Sequence, residues 1–168
     1  GRRAVENAWI EPGPIAALGL ANQRETVVGW DRTTGKPLYN AIVWQCARAR
    51  KLCEALAPEA AGIRAKTGLP LSPYFSAPKL AWLLQNVPAA AAAARAGTLC
   101  CGTIDSWLIW NLTEEHAFRT EYSKASRTQL FNIQTLAWDE DLCRLYGVPR
   151  QSLAEVTMSD EVFGTTTL

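Results

Sequence analysis

Apolar and polar positions alternate early in the chain in a way that predicts β-strands. Residues 15–20 form a short apolar run bounded by polar residues, which is typical of a strand buried on both faces. Residues 26–30 and 37–43 predict two more strands, and the segment between them is rich in the Asp, Thr and Gly that favour turns. We therefore expect an antiparallel hairpin beside the first strand.

A helical period replaces this alternation beyond residue 45. Spaced apolar residues with Pro or Gly near the ends predict helices at 46–57, 60–66, 76–86, 88–97 and 138–146, a buried strand at 98–101, and a helix directly after that strand. We expect Ser76 to be the N-cap of the helix at 76–86, and Thr103 or Asp105 to cap the helix that follows the strand. In that last helix, Leu108, Ile109 and Leu112 are expected to face the core. Strands that alternate with helices predict an α/β fold with a mixed sheet and flanking helices.

Length, charge and cysteine content narrow the class of protein. The 168 residues are expected to fold as one domain, 1–168, and to bury about 70% of the unfolded surface. The 17 basic and 16 acidic residues are spread along the chain, so we expect neither nucleic acid nor a membrane as partner. The longest near-apolar run, 88–94, is far shorter than the ~20 residues of a membrane span, and no signal segment opens the chain. Five cysteines without a CxxC pair predict reduced thiols, no metal site and a cytoplasmic protein.

Four residues have the chemistry that binding a small polyol requires. Arg24 can donate to hydroxyl oxygens, Glu25 can accept from hydroxyl protons, Trp44 offers a flat apolar wall, and Tyr74 adds a rigid phenol. Each also has an ordinary explanation: a surface ion pair for Arg24 and Glu25, and a place in the core for each ring. Because adjacent strand residues point to opposite faces, Arg24 and Glu25 can reach one ligand only from a strand end or a turn.

A longer pattern resembles a known family. Residues 74–86, YFSAPKLAWLLQN, have an aromatic residue, Ser two positions later, Lys three beyond it and Trp three beyond that. This signature and the segment ANQRET at 21–26 resemble the FGGY carbohydrate kinases, and the resemblance extends over about 15–167. The segments at 35–41, 102–110 and 125–133 resemble in particular the members that phosphorylate glycerol.

The resemblance implies a fold, an activity and roles for the four residues. The fold would be a ribonuclease H-like domain of the actin-type ATPases, and the activity would be ATP-dependent phosphorylation of glycerol with Mg²⁺. Arg24 and Glu25 would bind the hydroxyls of glycerol, while Trp44 packs on its carbon chain beside Tyr74. Arg48 has a weaker claim as a match to a family arginine, and the triplet at 126–128 resembles a family segment without an assigned chemical step.

Two motifs of the family do not occur in the 168 residues. These are the Asp-x-Gly-Thr-Thr phosphate hairpin and the Gly-Asp-Gln segment that carries the catalytic aspartate. We therefore expect an incomplete domain, a fragment that holds substrate-side residues, has no catalytic residue of its own, and binds ATP and Mg²⁺ only as part of a longer protein. Exposed apolar surface is expected to cause self-association. A fragment of another FGGY sugar kinase, a non-catalytic polyol-binding or regulatory module, and a purely structural domain remain open as alternatives.

Overall fold

The computed structural model describes residues 2–8 and 15–166. Its helices are α1 (Arg2–Asn7), α2 (Arg50–Ala55), α3 (Ala60–Thr67), α4 (Ser76–Asn86), α5 (Pro88–Ala96), α6 (Ile104–Leu112), α7 (Tyr122–Ala125) and α8 (Glu140–Tyr146). Its strands are β1 (Val27–Asp31), β2 (Leu99–Thr103), β3 (Arg119–Glu121), β4 (Phe131–Asn132), β5 (Ala137–Trp138) and β6 (Glu155–Thr157). Short 3-10 turns cover Ala57–Glu59 and Arg150–Ser152.

Strands β1 and β2 form the centre of the fold. They pair antiparallel over their whole length, from Val27 opposite Thr103 to Asp31 opposite Leu99. Successive residues of β1 face opposite sides, so Val27 lies in the main core with α4 and α5, and Trp30 lies in a smaller aromatic core on the other side. The strand pair is therefore buried on both faces.

Helix α4 packs closely on β1, where the strand contains a glycine. A Cβ atom added at Gly29 would lie 2.7 Å from Cδ2 of Leu83 on α4. Glycine therefore lets the helix approach the strand at this point. This close packing matters for function, because the segment before β1 and the first turn of α4 both carry residues of the candidate site.

The other strand pairs are short. Strands β3 and β6 pair in parallel, and β4 and β5 pair antiparallel. Asp105, in the first turn of α6, connects β2 to β3 because its carboxylate accepts hydrogen bonds from the hydroxyls of Thr103 and Thr120. Thr103 occupies the N-cap position of α6, as one of the two predicted alternatives, but its side chain makes no capping hydrogen bond; Asp105 lies inside the helix and is not its cap. Asp105 is instead a buried acceptor between two hydroxyl groups.

Several elements are confirmed close to their predicted bounds. Helix α4 covers 76–86, α3 ends at Gly68, and α5 ends at Gly97, with both glycines in the left-handed conformation. The predicted turn after β1 is also present, because the carboxylate of Asp31 accepts from the backbone N–H groups of Thr33 and Thr34. The ends of these elements depend on single residues, such as the glycines and the turn aspartate, that can be identified directly in the sequence.

The predicted strand at 15–20 is wrong. The segment is irregular and pairs with no strand of the part of the chain that the structure describes, and Leu18 and Leu20 are 51% and 41% exposed. A strand requires hydrogen-bonding partners as well as an apolar sequence. The hairpin is only partly formed, because the segment 37–43 meets β1 at two isolated bridges, Trp30 with Pro37 and Val27 with Ile42. Proline has no backbone N–H to donate to such a ladder.

Smaller differences concern where helices begin and which residues they bury. Helix α2 begins at Arg50 rather than at residue 46. Trp138 pairs with Phe131 in a strand instead of opening α8, and Asp139 caps that helix by accepting from two backbone N–H groups. Leu112 is 40% exposed rather than in the core. Ser76 is the first residue of α4 and not its N-cap, a position that Phe75 occupies, and its hydroxyl donates to the distant carbonyl of Glu25.

No helix within residues 2–8 and 15–166 combines the length and the apolar character that crossing a membrane requires. The resemblance also leads us to expect a helix between Trp9 and Ile15, for which the sequence has only five residues; residues 9–14 lie outside the described part of the chain.

Candidate functional site

Glu25 lies in a tight turn directly before β1. Its φ angle of 62° is in the left-handed region, and the N–H of Thr26 donates to the carbonyl of Arg24 at 2.7 Å. This hydrogen bond across three residues is the γ-turn pattern, which is uncommon for a residue with a side chain. From the sequence we expected that Arg24 and Glu25 could reach one ligand only from a strand end or a turn. The two residues do lie in such a turn.

The side chain of Glu25 is buried and bonded to a residue far along the chain. Nε of Arg127 donates to Oε1 of Glu25 at 2.8 Å, and the Glu25 side chain is only 5% exposed. The backbone carbonyl of Glu25 accepts from the hydroxyl of Ser76 at 3.3 Å. The turn is thus held by α4 on one side and by the segment after α7 on the other.

Trp44 and Tyr74 form an aromatic pair at the surface. Their ring centroids lie 5.7 Å apart in an edge-to-face arrangement, and the residues are 38% and 37% exposed. The backbone N–H of Trp44 donates to the hydroxyl of Thr26 at 3.2 Å, which holds the backbone of Trp44 next to the residue that follows Glu25. Because both rings are exposed, the explanation that they are ordinary core residues does not apply.

Lys79 supports Tyr74 from beneath. Its side chain is fully buried, and its ammonium donates to the carbonyl of Tyr74 and, at 2.8 Å, to the carbonyl of Phe75. Burial lowers the pKa of Lys79 to about 8, and the negative charge of Glu25 works against this shift. Lys79, the lysine of the signature at 74–86, is thus bonded to two backbone carbonyls inside the protein.

The remaining two arginine candidates are less well connected to the site. Arg24 is exposed, and its guanidinium makes no hydrogen bond or ion pair with any residue of 2–8 and 15–166. Arg48 lies over the ring of Trp82 at 4.6 Å, and its Nε donates to Sγ of Cys46 at 2.9 Å. Although partial burial opposes it, this hydrogen bond lowers the pKa of the Cys46 thiol. Arg48 therefore belongs to a neighbouring surface cluster.

Three of the four predicted residues come together in one continuous set of contacts. The chain of contacts runs from Trp44 to Tyr74, from Tyr74 to Phe75 at 5.2 Å, and from Phe75 to the Arg127 guanidinium at 5.1 Å, which bonds Glu25. The set combines the largely buried carboxylate of Glu25 with the two exposed rings of Trp44 and Tyr74, and the exposed Arg24 lies next to it in the chain. An anionic acceptor, a donor and aromatic faces are groups that can bind the hydroxyls and CH groups of a polyol. A surface groove of about 710 Å³ between α2 and α3 lies elsewhere and contains none of the four.

Sequence reasoning missed the role of Arg127. The triplet at 126–128 was singled out without a chemical step, and nothing local to it indicates a bond to a residue 102 positions earlier. A buried acidic residue needs a cationic or hydrogen-bonding partner, but the sequence does not show that Glu25 is buried. His116 stacks on Trp110, and its Nδ1 lies 2.9 Å from the carbonyl oxygen of the same residue.

The family is shown by comparison with known proteins. The model of the FGGY family of carbohydrate kinases, N-terminal domain, matches residues 2–168, and the chain belongs to this family. Among its relatives are proteins named glycerol kinase, one from Pseudothermotoga lettingae that is 52% identical over 168 residues and one from Psychromonas ingrahamii that is 51% identical over 163 residues. These alignments cover 98% and 95% of this chain but 34% and 32% of the relatives. The chain therefore spans about a third of the length of the relatives that it matches.

Solved structures agree with this assignment. Plasmodium falciparum glycerol kinase with ADP is 41% identical and superimposes with a TM-score of 0.87, covering 92% of this chain and 31% of that one. A gluconate kinase from Lactobacillus acidophilus superimposes with a TM-score of 0.83 over 96% of this chain and 32% of the other, but at 24% identity it shows the fold alone.

Proposed function

We propose that this chain is the glycerol-binding part of an ATP-dependent glycerol kinase. The observation that carries the proposal is the identity of about 50% over nearly the whole chain to proteins named glycerol kinase. The contact set around Glu25, Trp44 and Tyr74 supports it from the structure. We extend the proposal to the fold, which we assign to the ribonuclease H-like, actin-type group, and to the whole of 1–168 as part of one domain.

Each proposed site residue has a distinct part in binding. Glu25 accepts hydrogen bonds from hydroxyls of glycerol, and the exposed Arg24 donates to hydroxyl oxygens. A hydrogen bond to a charged group contributes roughly 1.5–3 kcal/mol, which is enough to orient a ligand with three polar groups. The rings of Trp44 and Tyr74 cover the carbon chain and exclude water from that side.

ATP and Mg²⁺ enter the proposal as what the family implies. Nowhere in residues 2–8 and 15–166 do three His, Cys, Asp or Glu side chains come together in the manner of a metal site. When bound to the longer protein, Mg·ATP would supply the phosphoryl group, and the residues of this chain would bind and orient the alcohol.

Glycerol binding by the chain itself tests the proposal. Glycerol should be titrated into isotope-labelled protein and followed by NMR, where we expect shifts for Trp44, Tyr74 and the residues around Glu25. Glu25→Gln should weaken binding about tenfold to a hundredfold, because a charge-assisted acceptor is lost. Glu59→Gln, which changes an exposed glutamate outside the contact set, is the matched control. Equal glycerol affinity in Glu25→Gln, Trp44→Ala and the wild-type chain would refute the site.

Substrate and activity can be tested separately from binding. Competition among glycerol, xylulose and gluconate distinguishes a glycerol site from that of another FGGY sugar kinase. A coupled assay with Mg·ATP and glycerol distinguishes an enzyme from a non-catalytic binding module. For the 168-residue chain alone we expect no turnover, because the motifs that hold phosphate and accept the hydroxyl proton are not among its residues. Turnover at an ordinary kinase rate of ~1–100 s⁻¹ would contradict this.

We further propose a cytoplasmic location and glycerol as the small-molecule partner.

A further inference from the structure

Neutralising the buried charge of Glu25 requires only a nearby cation, but Arg127 makes more specific contacts than that. Its Nε, and not the outer end of the guanidinium, meets Oε1 of Glu25 at 2.8 Å. The face of the same guanidinium lies over the ring of Phe75, with Cζ 5.1 Å from the ring centroid. Two contacts in different directions, one to the carboxylate and one to a buried ring, fix the side chain in one orientation.

The backbone beside Arg127 is fixed to the same helix that supports the aromatic pair. The carbonyl of Thr128 accepts from the N–H of Ala77, in the first turn of α4, at 2.8 Å. The N–H of Arg127 donates to the carbonyl of Lys124 at 3.0 Å. The backbone that carries Arg127 is therefore attached to α4, and the first residue of α4, Ser76, also bonds the carbonyl of Glu25.

The ion pair leaves half of the Glu25 carboxylate available. Arg127 occupies Oε1, and within residues 2–8 and 15–166 no donor bonds Oε2. Oε2 is also not among the fully enclosed polar atoms that lack a partner. A carboxylate can accept several hydrogen bonds, so one oxygen can stay with Arg127 while the other accepts from a ligand hydroxyl.

We infer that Arg127 is a positioning residue, which holds Glu25 through Oε1 so that Oε2 is presented to a substrate hydroxyl. This inference rests on the proposed function, because Glu25 must be a glycerol ligand for its orientation to matter. Arg127 does not itself touch the substrate. Its effect on binding must therefore pass through Glu25, and this requirement separates it from a residue that only stabilises the fold.

A double-mutant cycle on the 168-residue chain measures that dependence. The glycerol dissociation constant should be determined by NMR for the wild-type chain, Glu25→Gln, Arg127→Gln, Arg127→Lys and the double variant Glu25→Gln/Arg127→Gln. Arg119→Gln is the matched control, because Arg119 also uses Nε to meet a glutamate, Glu155 at 3.2 Å, but in an exposed pair. Urea unfolding of every variant shows whether it is folded under the binding conditions.

We expect Arg127→Gln to weaken glycerol binding about tenfold, because the carboxylate is no longer held in one orientation. Arg127→Lys should lose less, since it keeps the charge without the planar guanidinium. In the double variant the second substitution should add nothing to the loss caused by Glu25→Gln. If Arg127→Gln leaves Glu25 buried without a partner and fails to fold, Arg127→Lys with and without Glu25→Gln gives the same cycle.

The outcomes separate this inference from the proposed function. Losses that multiply in the double variant, or wild-type affinity in both Arg127 variants, overturn the positioning role while glycerol binding by the wild-type chain stands. A wild-type chain that binds no glycerol overturns the proposed function and this inference with it. A loss of the same size in Arg119→Gln would also overturn the inference, because the effect would then not be specific to the bond with Glu25.

Discussion

Replacing Lys79 by methionine should change how stability depends on pH. Lys79 is fully buried, and burial lowers its pKa from 10.5 to about 8, while Glu25 and the thiols of Cys46 and Cys53 oppose the shift. Methionine keeps a flexible chain of similar length and removes the ammonium. The variant thus removes one titrating group from α4 while filling most of its space.

The sign follows from where the proton is held. In the unfolded chain the lysine titrates near its ordinary value, so between about pH 8 and 10.5 the unfolded state binds more protons than the folded state. The free energy of unfolding therefore rises with pH across this window. At roughly 1.4 kcal/mol per pH unit, Lys79 should add about 3 kcal/mol between pH 8 and 10.5. Below pH 8 both states are protonated, and the contribution is constant.

The prediction is best tested as a difference between two proteins. Burial raises the pKa of Cys53, Cys100 and Cys143 to about 11 each, and these thiols lower stability above about pH 9 in both proteins. Urea unfolding should be measured at pH 7.5, 9 and 10.5. The free energy of unfolding of the wild-type chain should rise relative to that of Lys79→Met as the pH rises. Lys51→Met, which removes an exposed ammonium from α2, is the control. A difference that stays constant within about 0.5 kcal/mol would refute the reasoning.

Three further predictions concern other parts of the molecule. Asp105→Asn should lower the free energy of unfolding by about 1–3 kcal/mol, because a buried charged acceptor of two hydroxyls is lost, and should leave glycerol affinity unchanged in the NMR titration. Gly29→Ala should cost about 1–3 kcal/mol in urea unfolding because its Cβ would meet Leu83, whereas Gly62→Ala, where no atom lies within 4 Å, should be neutral or stabilising. Finally, the exposed apolar groups, among them Leu18 at 51%, should cause self-association; sedimentation over a concentration series that shows only monomer would contradict this.

Local signals account for the parts of the fold that the sequence predicted well. Helix α5 has proline at its first residue and glycine after its last, and α3 likewise ends at a glycine in the left-handed conformation. Each of these ends is set by the backbone conformation that one residue, proline or glycine, allows, and that residue can be identified in the sequence. The segment 15–20 has an apolar composition typical of a strand, but strand formation depends on partners elsewhere, and composition does not reveal whether they are present.

The site was predictable as chemistry but not as geometry. Arg24, Glu25, Trp44 and Tyr74 were predicted from the resemblance to the family, because their donor, acceptor and ring groups match its polyol-binding segments; chemistry alone left ordinary surface and core roles open. The bond between Arg127 and Glu25 joins residues 102 positions apart, and no period or spacing in the sequence encodes such a pair. The buried state of Lys79 was missed for the same reason, since its two carbonyl acceptors are identified only once the backbone before α4 is in place.

The geometry also gives a physical meaning to the signature at 74–86. Its serine, Ser76, bonds the carbonyl of Glu25, and its lysine, Lys79, bonds the carbonyls that carry Tyr74 and Phe75. Its tryptophan, Trp82, lies under the Arg48 guanidinium. Only Tyr74 of these positions is exposed at the candidate site, so the polar residues of the signature hold the backbone rather than the ligand. A substitution at Ser76 or Lys79 should therefore act on glycerol through the position of Glu25 or Tyr74, which is the same indirect route that the double-mutant cycle tests for Arg127.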